Sequence, residues 1–286
     1  MKLWQKNTPA NEKILDFTVG KDRDFDLHLA AYDCQASIAH AQMLNQIGVL
    51  TVQETEAIVT ILKELKIKAE NSKFVIEDTF EDMHSKIEFV LTEKLGDFGK
   101  KIHTARSRND QVLVALHLYL KEEISAIKTL TYNFFKLLIK LAEQHKDKLL
   151  PGYTHFQVAM PSSFGLWFSA YAESLIDDVT LLNAAHKIVD QNPLGSAAGF
   201  GSSFPIDRKA TTESLNFMDL KYNVIAAQMS RGKAEKITAF AIASLSANLS
   251  KMANDICLYM SQEHNFISFP EDLTTGSSIM PHKKNP

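Results

Sequence analysis

The sequence predicts an all-α fold, a small N-terminal helical domain followed by a bundle of long helices. Two observations carry this. Only 11 glycines and 8 prolines occur in 286 residues, and they cluster between long uninterrupted segments, where helix-breaking residues belong. Three of those segments repeat apolar residues by threes and fours over roughly 30 residues, the pattern of one helix face packed lengthwise on others.

Residues 1–25, with Pro9 and Gly20, are expected to be irregular. A helix follows from Asp26 to about Ile47 and is closed by Gly48. Thr51-Val52-Gln53-Glu54 is a capping box, in which hydroxyl and carboxylate each satisfy a backbone N–H of the other residue. The helix it opens sets Ile58, Ile61, Leu62 and Leu65 on one face. A third helix is predicted over Phe80–Leu95, with Gly96 just past its end. These elements make up a first domain, residues 1–108.

The second domain, 109–286, opens with the longest seam. Leu113, Leu116, Leu120, Ile124, Ile127, Leu130, Phe134, Leu138 and Leu141 predict a helix of about 35 residues. After a Pro151-Gly152 break, Pro161 is read as opening a second long helix that runs to about Val189. A small-residue loop, Asn192–Gly201, and a short helix after Pro205 lead to a third long helix from about Gly232 to His264. Its face carries Ile237, Phe240, Leu245, Leu249, Met252 and Ile256.

Composition excludes several classes of function. With 31 Lys+Arg against 34 Asp+Glu the formal charge is −3, which leaves no electrostatic footprint for nucleic acid. No apolar run reaches membrane-spanning length. Met1-Lys2-Leu3-Trp4-Gln5-Lys6 turns polar at once, unlike a signal peptide. Cys34 and Cys257 lie too far apart for a disulfide framework and read as reduced thiols of a cytoplasmic protein.

Chemistry concentrates in the breaks between the helices. In His103-Thr104-Ala105-Arg106-Ser107-Arg108-Asn109-Asp110-Gln111, Ser107 or Asn109 suits an N-cap. Capping leaves the two arginines unexplained. Either Arg106 or Arg108 can fork a carboxylate where free helix N–H groups already favour an anion. In Pro151-Gly152-Tyr153-Thr154-His155-Phe156-Gln157, His155 reads as a general acid or a hydrogen-bond donor to substrate. The closing loop, Gly276-Ser277-Ser278-Ile279-Met280-Pro281-His282-Lys283-Lys284-Asn285-Pro286, offers a serine with a cation close in sequence. A serine acts as a base only where its alkoxide is stabilised in this way. Glu81-Asp82-Met83-His84 is a fourth cluster, which by physics alone is an acidic first turn of a helix.

The closing loop resembles the signature loop of the fumarase/aspartase superfamily of lyases. The breaks at 103–111, 153–161 and 275–286 match, in order and spacing, the three motif regions of the argininosuccinate lyase family, and the resemblance runs over the whole chain. Ser107-Arg108-Asn109-Asp110-Gln111 is the discriminating piece, since other branches carry small or hydroxyl residues where Arg108 stands. The resemblance implies a homotetramer with active sites shared between chains and a reversible β-elimination of argininosuccinate to arginine and fumarate, with no metal and no cofactor. Ser277 is then the proton-abstracting base, Lys283 steadies the charged carboxylate, and His155 helps protonation on the leaving side. Substrate contacts are expected from Asp24, Asp82, His84, Thr104, Arg108, Asn109, Thr154, Gln157, Ser278 and Asn285.

Departures fall in the N-terminal segment, where Gly20 replaces a family serine and Gln5-Lys6-Asn7 follows Leu3-Trp4, and at Met160-Pro161, where the family has Gln-Pro. Two other readings compete: another superfamily lyase such as adenylosuccinate lyase, against which Arg108 argues, and a catalytically silent structural relative. The chain stops at Asn285-Pro286 inside its most chemical loop. The expectation is therefore a longer polypeptide carrying further bundle helices, a C-terminal domain and the glutamate partner of the loop histidine.

Overall fold

A computed structural model describes residues 12–286, and the polypeptide is predominantly helical. Helix α1, Glu12–Val19, and the start of α2, Asp22–Gln46, replace the irregular segment predicted there. Gly20, at φ 51°, confines the break between them to a few residues. Pro9 lies outside the described residues. Ile47 caps α2 and Gly48 follows at φ 77°. The capping box forms as read: Thr51 N–H donates to Glu54 Oε2 at 2.9 Å and Glu54 N–H to Thr51 Oγ1 at 3.2 Å. It opens α3, Val52–Glu70, in which Ile58, Ile61, Leu62 and Leu65 are all buried. Helix α4, Met83–Leu95, begins three residues later than predicted, because Asp82 caps it by accepting the Ser85 N–H at 2.6 Å. Gly96, at φ 65°, ends it, and a 3-10 helix, Gly96–His103, follows.

Helix α5, Arg108–Gln144, realises the long seam in 37 residues. Leu113, Leu120, Ile124 and Leu138 are buried along it, while Leu130 stands 68% exposed. The predicted break near Pro151 is an antiparallel hairpin instead of a loop, with β1 at Leu149–Thr154 and β2 at Gln157–Ser163. Pro161 does not start a helix; it sits opposite Pro151 in the hairpin. Ser163 takes the capping role, its Oγ accepting the Leu166 N–H at the start of α6, Phe164–Val189. The remaining elements are β3 (Gln191–Asn192), α7 (Arg208–Ser214), β4 (Asp219–Leu220), α8 (Val224–Met229), α9 (Lys233–Tyr259), a second 3-10 helix (Glu271–Leu273), β5 (Thr275–Gly276) and β6 (Lys284–Asn285).

The chain groups into two compact units. Among the described residues, one comprises 12–124 and 186–236, the other 125–185 and 237–286. In the first, Leu44, Ile58, Leu62, Met83, Ile87, Leu91 and Ile102 form a fully buried core among α2, α3, α4 and the 3-10 helix. Gly99 lets that helix lie against α4, since a Cβ there would come within 2.5 Å of the Leu91 carbonyl oxygen. In the second, α6 and α9 are tied by polar pairs. Asp178 accepts from Ser244 Oγ at 2.8 Å and Asn248 Nδ2 at 2.9 Å, and Asp255 accepts from Trp167 Nε1 at 2.9 Å and Tyr171 Oη at 2.6 Å.

A buried histidine of the first unit makes its stability depend on pH. His40 Nε2–H donates to the Thr104 carbonyl at 2.9 Å. Burial, reinforced by the charge of Arg106, pushes this imidazole from its ordinary 6.5 down to about 3. The unfolded chain therefore binds a proton that the folded chain refuses, and the stabilisation present above about pH 6.5 is lost as the pH falls toward 3. Urea midpoints measured through that range are expected to fall steadily from pH 7 to pH 4. A flat profile would show that His40 is not held neutral.

Candidate active site

In the first unit the site is built on buried charge. Ala105, at φ 58°, kinks the chain between the 3-10 helix and α5 and turns Arg106 inward. Arg106 is 7% exposed and donates from Nη1 to Ser37 Oγ at 2.8 Å. Asp33, fully buried on α2, accepts from Gln111 Nε2 at 3.0 and 3.2 Å. His84 Nδ1 lies 3.1 Å from Asp33 Oδ1, an ion-pair distance with off-line hydrogen-bond geometry. Burial pushes the Asp33 carboxyl up; the His84 and Arg106 charges and the hydrogen bonds outweigh this and hold it below the usual range.

Asp110, also fully buried, binds three backbone groups. Its Oδ1 accepts the Ser107 N–H at 2.9 Å, and its Oδ2 accepts the Gly195 and Ala197 N–H groups at 2.9 and 2.8 Å. Ser107 Oγ in turn accepts the Asn109 N–H at 3.3 Å, so Ser107 is the cap of α5. Gly195 is at φ 85°, and a Cβ there would lie 2.7 Å from Arg208 Cγ, so the clamped loop requires glycine at this position.

This settles which arginine is reachable. Arg106 is enclosed, whereas the Arg108 side chain is 28% exposed. Arg108 meets Glu88 in a two-point fork, Nη1–Oε1 at 2.7 Å and Nη2–Oε2 at 3.2 Å. His103 Nδ1 stands 3.0 Å from Glu88 Oε1. Burial raises the Glu88 carboxyl, but the hydrogen bond to His103 and the charge of Arg108 override it and hold it at about 2. Asn109 is exposed beside Arg108, and Thr104 is half-buried with its carbonyl bound to His40. His84 is 1% exposed. Asp82 serves as the α4 cap, with its Oδ2 3.6 Å from Arg108 Nε. Asp24, in the first turn of α2, is exposed and lines an open cavity of about 450 Å³ with His28, Tyr32, Lys66, Glu70 and Glu122.

The other two motif regions lie in the second unit. His155 and Phe156 are the two central residues of the β1–β2 hairpin, at φ 52° and 61°. That is a primed turn made without glycine, a conformation costing roughly 1 kcal/mol or more per residue. Thr154 and Gln157 pair across it, and all four residues are exposed. In the closing loop, β5 and β6 pair antiparallel, aligning Thr275 with Asn285 and Gly276 with Lys284. Ser277 Oγ accepts the Met280 N–H at 3.2 Å, and Lys284 pairs with Glu271. Ser277 and Asn285 are half-buried; Ser278 and Lys283 are exposed.

Sequence reasoning missed Glu88 and Asp33. A signal for Glu88 existed: Asp82, Ser85 and Glu88 recur every three residues and so share one face at the start of α4. Among the described residues no group of three or more His, Cys, Asp or Glu is arranged to hold a metal ion, and no helix is long and apolar enough to cross a membrane.

The fold is that of the helical fumarase-type lyases. EDDS lyase in complex with formate superposes with a TM-score of 0.83 at 26% identity, covering 98% of this chain and 55% of that one. A class II fumarase from Schistosoma mansoni gives a TM-score of 0.81 over 100% of this chain and 68% of its own; at 17% identity it speaks for the fold alone. A lyase family model matches residues 10–286. Argininosuccinate lyases from Phocaeicola vulgatus and Parabacteroides distasonis are 55% and 54% identical over 285 residues, each covering 100% of this chain. One from Thermotoga neapolitana is 43% identical, with 72% of its length covered. The chain belongs to this lyase family and, within it, to the argininosuccinate lyases. It spans 64% of the length of the first two relatives.

Replacing Asp110 by Ala should strand the buried Gly195 N–H and the part-buried N–H groups of Ser107 and Ala197, and cost about 3 kcal/mol. Equilibrium unfolding in urea measures this; a loss under about 1 kcal/mol would show that the clamp contributes little.

Proposed function

We propose that the protein carrying this chain is an argininosuccinate lyase, splitting argininosuccinate reversibly into arginine and fumarate within arginine biosynthesis. The observation that carries the reading is Ser107-Arg108-Asn109-Asp110-Gln111, with Arg108 half-open above a buried charge network, in a chain 55% identical to an argininosuccinate lyase. Removing a weakly acidic proton beside a carboxylate creates an intermediate with added negative charge on that group. Donors preorganised toward this charge supply much of the rate.

In this reading Ser277 takes the proton, Lys283 and Asn285 stabilise the charged carboxylate, and His155 with Thr154 assists on the leaving-nitrogen side. Arg108 and Asn109 grip the succinyl carboxylates. Asp24, Asp82, His84, Thr104, Gln157 and Ser278 complete the contacts. No metal or organic cofactor enters, because the substrate's own carboxylate withdraws the electrons. The site is proposed to assemble from several chains of a homotetramer. Large apolar side chains exposed in the second unit, among them Leu130, Ile176 and Phe240, support packing against other subunits. A cytoplasmic location accords with the two free cysteines, Cys34 and Cys257.

The test is fumarate release by the full-length protein from argininosuccinate and from adenylosuccinate, with a chelator present. Release from argininosuccinate alone is expected; loss of activity to the chelator, or preference for adenylosuccinate, would overturn the reading. Ser277→Ala should lower turnover by about 10³-fold or more while leaving substrate affinity within about tenfold. Near-native turnover would remove Ser277 as the base.

A further inference from the structure

We propose that Glu88 is a positioning residue for substrate. It holds Arg108 by the end of its guanidinium so that the side edge, Nε and Nη2, is presented to a substrate carboxylate. The proposal rests on the functional reading above and adds a residue to it.

The donors of Arg108 can be counted. Of its five N–H groups, both on Nη1 are engaged, one with Glu88 Oε1 at 2.7 Å and one with Gln111 Oε1 at 3.0 Å. One on Nη2 goes to Glu88 Oε2 at 3.2 Å. Among the described residues, the second on Nη2 has only Ser85 Oγ at 3.4 Å, and Nε has only Asp82 Oδ2 at 3.6 Å. The end of the fork is therefore closed and the side edge is loosely met. A planar guanidinium binds a carboxylate equally well through that side edge, with two parallel N–H groups.

Glu88 is built to stay rather than to be exchanged for substrate. Its side chain is 15% exposed, both oxygens are committed to Arg108, and His103 adds a further bond to Oε1. Asp82 is tied through Oδ1 to the Ser85 N–H, so its other oxygen is the group that gives way on the open edge. Gln111, which fixes the far side of Nη1, is itself held by buried Asp33. Arg108 is thus located from two directions before substrate arrives, and less conformational freedom is lost on binding.

The test is steady-state kinetics of fumarate release by the full-length protein as unaltered enzyme, Glu88→Gln, Arg108→Lys and the double variant. A carboxylate grip acts on ground and transition states alike, so Glu88→Gln should raise KM about tenfold or more with kcat within about threefold. Lysine cannot be forked, so adding Glu88→Gln to Arg108→Lys should change KM by less than about twofold. Succinate, as a competitive inhibitor, should bind Glu88→Gln correspondingly more weakly. Unchanged or tighter succinate binding by Glu88→Gln, or an equal loss in both backgrounds, would overturn the proposal and leave the lyase reading standing. Absence of fumarate release by the unaltered protein would overturn that reading and the proposal together.

Discussion

The first unit depends on the requirement that a buried charge be paired. Asp110 cannot lose water at the head of α5 without donors to replace it, and Ser107, Gly195 and Ala197 supply three. The same carboxylate thereby fixes the first turn of α5 and the loop that follows β3. Asp33 obeys the same rule with Gln111, His84 and the nearby Arg106. Removing one member of such a network costs more than the interaction contributed, because the partner left behind stays buried and unpaired. That asymmetry makes the frame stiff, and Arg108 is mounted on its edge.

The second unit presents its polar groups differently. His155 stands at the tip of a hairpin whose turn residues are both forced into the left-handed region, and Ser277 sits where a two-residue strand pair pinches the closing loop. Among the described residues neither group is enclosed, and neither carries the dense buried pairing seen around Asp33. Both groups sit in turns that join short strands, and large apolar side chains, among them Leu130, Ile176 and Phe240, stand exposed in the same unit.

Much of this was legible in the sequence because the signals are local. The Thr51 capping box, the glycines ending α2 and α4 and the seam of α5 follow from neighbours within one or two helical turns. The hairpin was not legible: Pro161 ahead of an apolar run looks like a helix start, and only pairing with Pro151, ten residues away, marks it as strand. Periodicity makes Leu130 part of a stripe without saying what covers it. The three motif breaks were visible as clusters of functional groups. Their buried counterparts were not, since Asp33 lies 78 residues from Gln111 and its role arises only on folding.

The central claim is that this frame holds Arg108 ready for a carboxylate. A crystal structure of the full-length protein grown with succinate tests it most directly. A succinate carboxylate on the Nε–Nη2 edge of Arg108, with the Glu88 fork intact and Asp82 turned aside, is the predicted result. Succinate bound away from Arg108, or seated in place of Glu88, would contradict the account.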